Sequence, residues 1–398
     1  MARRRDRRPR ALPGEEEVRL ARKLERVLRQ GHPWVWRDAL PGLAATPGQV
    51  VVVTDPKGDF VARGIVDDGP IGVRVFTTSP RERVDGDLFA RRIEAAAALR
   101  EMVVDESTDA YRLLHGEGDR LPGFVCDVYG RTAVLRFDGA GAAAWGAVAI
   151  EALEPVLRAR GVDSLLVRSG RRKERSLEVA FGQLPEGRDF VSEHGMKMLV
   201  DVVHGQKTGL FLDHRPSRRR VRGLSRGLSV LNLYGYTGAF STAAGLGGAR
   251  RVVTVDIAQP ALDLAEASWA ENELPPNTHE TVAADVPKYL AELEDTFDLI
   301  VSDPPSFAPR ESALSAAIGA YEKLHAACLD RLRPGGLYLA ASCSSHVRRE
   351  AFDATVYEAS RRRRRSLQLL GRWGAGEDHP RLPVFVEGDY LKAILVRA

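Results

Sequence analysis

The stretch LAASCSSHV, residues 339–347, puts a thiol where an apolar strand gives way to small polar residues. Cys343 is one of three cysteines, with Cys126 and Cys328 at unrelated positions. An odd number without paired spacing makes neither a disulfide framework nor a zinc site. A lone thiol at a strand end can be a nucleophile, and open α/β folds carry their sites there. Cys126 and Cys328 lie within apolar runs and read as core thiols. Carboxylates recur at similar places: Asp256 closes RRVVTVD, Asp285 follows TVAA, and Asp303 follows FDLIV-Ser.

These positions require a sheet. Strand patterns at 228–233, 251–255, 279–283, 297–302, 337–342 and about 389–396 alternate with helical ones, notably 259–272 and 312–332. Such alternation predicts a doubly wound, mostly parallel Rossmann-like α/β sheet. Its first strand, LSVLNLY, runs into the glycine turn GYTGAFS, a nucleotide-binding arrangement. The spacing is Gly235-x-x-Gly238, which is not the dinucleotide fingerprint. Asp256 stands 24 residues after Asn232, placed to accept a ribose's hydroxyls. Asp285 suits an adenine edge. The series fits S-adenosylmethionine, which has no phosphate, better than a nicotinamide dinucleotide. The candidate cofactor set is Asn232, Tyr234, Gly235, Tyr236, Thr237, Gly238, Asp256, Ile257, Asp285, Val286 and Asp303.

A chain of 398 residues exceeds one ordinary core. We read a basic tail at 1–17, a small β-barrel at 18–92, an α+β segment at 93–190 and the doubly wound domain at 191–398. The barrel rests on QVVVVTD, DFVARGIVD and IGVRVFTT between turn signals. Hydrophobic content of 44% and charged content of 28% describe a globular protein, and no apolar run approaches a membrane span. With no signal-peptide core, the cytoplasm is the expected compartment. Net charge is +4, yet residues 1–10 alone carry six Arg and one Asp, so the remainder is slightly acidic. That arm and the basic turn RSGRRKERS (168–176) could touch phosphate or simply be solvated. No metal site is legible. A homodimer is neither required nor excluded.

The sequence resembles bacterial class I RNA methyltransferases with an N-terminal PUA domain, in the single-cysteine branch that forms 5-methylcytosine in 23S ribosomal RNA. GHPWVW (31–36), YRLLHGEGDRLPGFVCDVYG (111–130), GQKTGLFLDHR (205–215), NLYGYTGAFS (232–241), SDPPSFA (302–308) and ASCSSHV (341–347) carry the likeness. The resemblance implies a PUA-like RNA-binding barrel, an accessory RNA-binding middle domain, and S-adenosylmethionine beside Phe211, Asp213 and Arg215. His214 stands where the family leads one to expect glutamine.

Cytosine carbon 5 is too weak a nucleophile to take a methyl group directly. A thiolate adding at carbon 6 makes the ring an enamine that can. Cys343 would supply that thiolate, and Asp303 would hydrogen-bond the ring. Asp303-Pro304 is followed by Pro305, so a second thiol found in many such enzymes is absent, and the group assisting release is unassigned. Two other readings stand: methylation of an exocyclic amine using Asp303 and Phe307, and a noncatalytic ribosome-assembly factor.

Overall fold

The computed structural model describes residues 15–170, 176–205, 207–308 and 310–398, together with Leu12. The arginine arm and the centre of the basic turn at 168–176 lie outside the described residues. The chain forms two units: one holds residues through Asp105, Tyr111–Glu186 and Glu377–Gly388, the other Glu106–Ala110, Gly187–Gly376 and Asp389–Ala398.

The first unit contains two five-stranded sheets. β1 (Glu16–Arg19), α1 (Glu25–Arg29), β2 (Trp34–Trp36), β3 (Val50–Thr54), β4 (Phe60–Val66) and β5 (Ile71–Thr77) give a sheet of order β1-β3-β4-β5-β2. Next come α2 (Gly86–Val103), β6 (Ala110–His115), β7 (Phe124–Tyr129), β8 (Thr132–Phe137), α3 (Ala140–Ala144), α4 (Gly146–Ala159), β9 (Ser164–Ser169) and β10 (Ser176–Phe181). Their sheet has the order β10-β9-β8-β7-β6. The expected boundary at 92/93 falls inside α2. That helix starts where the Asp85 carboxylate accepts from Leu88 N at 3.0 Å. It buries Phe89 in one cluster with Ile65 and Phe76 from the first sheet and Phe124 from the second.

Residues 377–388 complete this unit from far along the chain. Arg112 N donates to Asp378 Oδ2 at 3.0 Å, and Arg100 donates to the Asp378 carbonyl at 2.8 Å. Arg100 also makes a forked pair with Asp119 at 2.6 and 2.7 Å. Phe385 packs edge-on against Trp34, with ring centres 4.5 Å apart.

The second unit opens with a hairpin, β11 (Asp189–Glu193) and β12 (Met196–Val200), followed by α5 (Arg215–Leu224). The doubly wound part then runs β13 (Ser229–Leu233), α6 (Ala239–Leu246), β14 (Arg251–Asp256), α7 (Gln259–Glu271), β15 (His279–Ala283), α8 (Val286–Glu292), β16 (Phe297–Ser302), α9 (Leu314–Asp330), β17 (Leu332–Ser342), α10 (Arg349–Arg362), β18 (Gln368–Trp373) and β19 (Lys392–Arg397). The sheet order is β15-β14-β13-β16-β17-β19-β18, parallel except for β19 and its two pairings. Every residue of β13 is buried, as a strand covered on both faces should be. Strand order reverses between β13 and its neighbours β14 and β16, which opens a crevice at their carboxyl ends. β18 escaped the sequence reading because it is an edge strand with Leu369 and Leu370 exposed, so its apolar residues mark no buried face. Among the described residues no helix is long and apolar enough to cross a membrane, and no cluster of His, Cys, Asp and Glu could hold a metal.

Candidate active site

A cavity of about 340 Å³ lies in the second unit at the strand ends, within the usual range of about 300–1,000 Å³ for small-ligand sites. Its walls bring together Phe211, Asp213, Tyr234, Gly235, Tyr236, Thr237, Asp256, Ile257, Asp285, Val286, Asp303 and Cys343. These come from separate strand ends and from the segment before α5, so the fold joins residues that the sequence scatters.

Three expected residues do not line the cavity. Asn232 is buried and donates to Ser241 Oγ at 2.9 Å, so it fastens the turn to α6 from behind. Gly238 has φ +72°, and a Cβ there would stand 2.4 Å from that of Ala265. The turn and the packing of α6 on α7 both require glycine at that position. Arg215 is buried and donates to the Ala110 carbonyl at 2.9 Å. The glycine turn marked Asn232 and Gly238 and the family resemblance marked Arg215, but the fold uses all three as scaffolding.

The β13–α6 turn is tied to the next strand. Asp256 Oδ2 accepts from Tyr236 N at 2.9 Å and Oδ1 from Ala258 N at 3.0 Å. Each oxygen keeps a second lone pair for a ligand. Beside it Ile257 is 75% exposed, an apolar side chain left uncovered in a cavity wall. Asp285 caps α8, accepting from Lys288 N at 3.2 Å. On the opposite side, Asp213 is buried and accepts from Lys207 Nζ at 3.2 Å and from Tyr390 OH at 2.7 Å. Lys207 also sits 4.1 Å over the Phe211 ring. Lys207 lay in the GQKTG stretch, but nothing in the linear order links it to Asp213; Tyr390 gave no signal.

The polar run around Cys343 has a structural reason. Ser342 and Ser344 are fully buried, and both hydroxyls bond Tyr321 OH, at 2.8 and 3.0 Å. Ser306 Oγ adds a 3.0 Å bond to Ser344. Lys392 Nζ, from β19, donates to the Ser344 and Tyr390 carbonyls. The flanking serines thus face inward while Cys343 between them reaches the cavity. Burial pushes its thiol up to about 11, with the nearby Asp303 carboxylate adding to the rise and Lys207 opposing it. A thiol alone in this site is therefore protonated near neutrality, so the thiolate that the addition requires forms only when that proton is removed. Burial also pulls Lys392 down to about 8. Cys126 and Cys328 are fully buried elsewhere, as expected. Phe307, the base-stacking residue of the amine reading, packs against Tyr321 at 4.8 Å and is not among the lining residues.

Asp303 Oδ2 lies 3.0 Å from His214 Nε2, whereas its Oδ1 is buried without a hydrogen-bond partner among the described residues. The departure noted at position 214 is thus a cavity-wall residue in contact with the site's central carboxylate.

Comparison with known proteins points the same way. Residues 151–397 match the S-adenosylmethionine-dependent methyltransferase family, and residues 18–78 match the PUA-like domain. The chain is 35% identical over 383 residues to the ribosomal RNA large subunit methyltransferase I of Cronobacter sakazakii, covering 94% of this chain and 97% of that one. It is 37% identical over 401 residues to the ribosomal RNA large subunit methyltransferase of Deinococcus radiodurans, covering 96% and 97%. A SAM-dependent methyltransferase from Streptococcus mutans shares the fold at a TM-score of 0.86 and 22% identity, over 96% of this chain and all of that one. A methyltransferase structure complexed with SAH gives the same score at 23% identity and the same coverage.

Proposed function

Because the chain belongs to the S-adenosylmethionine-dependent methyltransferase family, we propose that it methylates large-subunit ribosomal RNA at carbon 5 of a cytosine, through a covalent adduct on Cys343. The observation that carries the cytosine chemistry is the placement of that thiol. Of three cysteines it alone lines the cavity, held between two buried serines and sharing the wall with Asp303.

The residues present fit the cofactor. Four aspartates (Asp213, Asp256, Asp285 and Asp303) face two cations, Lys207 and Arg218, in the cavity wall. Arg218 is already paired with Glu193. The lining is therefore acidic, which suits a ligand bearing a cation and a ribose and disfavours a phosphate. Asp256 would take the ribose hydroxyls, Ile257 would cover one face of the adenine, and Asp285 would meet its edge. Bound there, S-adenosylmethionine supplies the methyl group and, as a sulfonium, a positive charge in the cavity.

The chain's own residues do the rest. Cys343 gives its proton to solvent, and the thiolate adds to carbon 6 of the cytosine, forming the C–S bond and moving the ring electrons to carbon 5. Asp303 holds the ring during the addition. After carbon 5 is methylated, solvent takes its proton, the C–H electrons re-form the carbon 5–carbon 6 double bond, and the C–S bond breaks to release the thiolate, which is protonated again. Tyr321, Ser344 and Lys392 keep the cysteine's backbone in place throughout, so positioning is established before the base arrives.

Two measurements test the reading. Wild-type protein should form a gel-stable adduct with large-subunit rRNA carrying 5-fluorocytosine at the target, because fluorine cannot leave as the proton does. Cys343→Ala should form none and transfer no methyl group, with affinity for S-adenosylhomocysteine unchanged. A Cys343→Ala protein that still methylates RNA at a comparable rate would refute the covalent mechanism and favour amine methylation.

A further inference from the structure

A line of side-chain hydrogen bonds runs from β18 through α5 to the cavity, with His214 at its centre. Trp373 Nε1 donates to Ser217 Oγ at 2.8 Å, and Ser217 Oγ lies 3.3 Å from His214 Nδ1. His214 Nε2 then lies 3.0 Å from Asp303 Oδ2. The tautomer follows from the carboxylate end. A carboxylate only accepts, so the hydrogen between the two groups sits on Nε2 and points at Asp303. Ser217 Oγ accepts from the Trp373 indole and still has its own hydrogen to give to Nδ1, which matches this tautomer.

The arrangement is rigid. His214 and Ser217 are 2% and 0% exposed, and Phe240 closes on the imidazole edge-on at 5.4 Å. With Oδ2 occupied by a donor, Asp303 has Oδ1 left, buried and without a partner among the described residues. Buried acceptors are nearly always satisfied, so an orphan in a cavity wall is a place for a ligand's hydrogen. Cytosine has such a hydrogen on its exocyclic amino group, where uracil carries a carbonyl oxygen.

We propose that His214 is a positioning residue for base selection: its Nε2–H holds Asp303 as an acceptor-only carboxylate whose Oδ1 receives the amino group of cytosine and repels the carbonyl of uracil. This rests on the cytosine reading above. Without that donor, Oδ2 loses the bond that fixes the carboxylate's orientation, so Oδ1 is no longer held where it meets the amino group and turns away a carbonyl. His214 thus acts on the base through Asp303 and touches neither sulfur nor methyl group.

The test uses the full chain and a large-subunit rRNA fragment whose target nucleotide, located first by mass mapping, is made as cytosine, uracil or their 5-fluoro analogues. His214→Gln places an amide N–H near the position of Nε2. His214→Asn reaches only towards Ser217, and His214→Phe keeps the ring alone. Loss of a hydrogen bond to a charged group should lower single-turnover kcat on cytosine by about tenfold or more in the Asn and Phe variants. His214→Gln should stay within about threefold of wild type, less than one such bond is worth. The ratio of cytosine to uracil adducts should fall in Asn and Phe and hold in Gln. S-adenosylhomocysteine affinity, unchanged in all three, checks folding. If Phe does not fold, the comparison of Gln with Asn decides. A ratio that stays at the wild-type value in Asn and Phe, or falls equally in Gln, overturns the role of His214 while the cytosine reading stands. Absence of any wild-type adduct overturns both.

Discussion

At the scale of single residues, the cavity separates groups that do chemistry from groups that hold them. Cys343 is the sharpest case, because its surroundings work against ionisation. Its folded-state thiol is raised to about 11, so raising the pH should increase its reactivity steadily. Alkylation of Cys343 by iodoacetamide, followed by peptide mass spectrometry, should climb to a midpoint near pH 11. A free thiol would reach its midpoint at about pH 8.5 and level off above it. A midpoint below about pH 9 would contradict the electrostatics described. Cys328, pushed up to about 12 by complete burial, should stay unlabelled until the protein unfolds. Asp256 gives a second check. Asp256→Ala removes a charged acceptor and the tie to Tyr236 N together, and calorimetry should show S-adenosylmethionine affinity reduced about tenfold or more; an unchanged constant would remove Asp256 from the site. Most of this site was legible in sequence because strand ends announce themselves: an apolar run, then Asp, Gly or Cys. Tyr390 and Lys392 were not, since each reaches its partner across elements with no periodic or spacing signal, and nothing in the six positions from Lys207 to Asp213 announces their pairing. Arg215, Asn232 and Gly238 mislead for the complementary reason. A polar or small residue beside a site has the same letter whether it faces the ligand or the scaffold.

At the scale of elements, β17 and β19 matter most, because the cysteine hangs from the end of one and is fastened by the other. Lys392, the first residue of β19, spans from that strand to the Ser344 carbonyl. Lys392→Met should cost about 1–3 kcal/mol by leaving two carbonyls without their donor. The loss should appear in thermal denaturation and in a slower adduct-forming rate, with S-adenosylhomocysteine still bound. A variant with wild-type adduct kinetics would make Lys392 incidental to the loop. The central parallel strands were readable as continuous apolar runs, and their alternation with helices settled the architecture. β18 was not, because an edge strand needs no buried face. Nor was α2's place at the middle of a core shared by both sheets of the first unit: helical periodicity reports that a face is buried, never against what.

At the scale of the whole molecule, the three consecutive segments read from the sequence differ from the two discontinuous units observed. Residues 377–388 supply buried groups to the first unit, with Asp378 bonded to Arg112 N and to His379. Asp378→Ala should lower the thermal stability of that unit by about 1–3 kcal/mol through unsatisfied buried donors. Calorimetry should show this with cofactor affinity intact. If the substitution leaves the melting profile unmoved, the late segment is not holding the unit together. Because of this arrangement, the order of synthesis and the order of folding cannot coincide. The ribosome delivers the amino-terminal residues first, yet their unit is incomplete until Glu377–Gly388 have been joined. Until then, Arg100 and Arg112 lack part of their bonding and Trp34 lacks Phe385, so the nascent first half keeps uncovered polar and aromatic surface of the kind that chaperones shield.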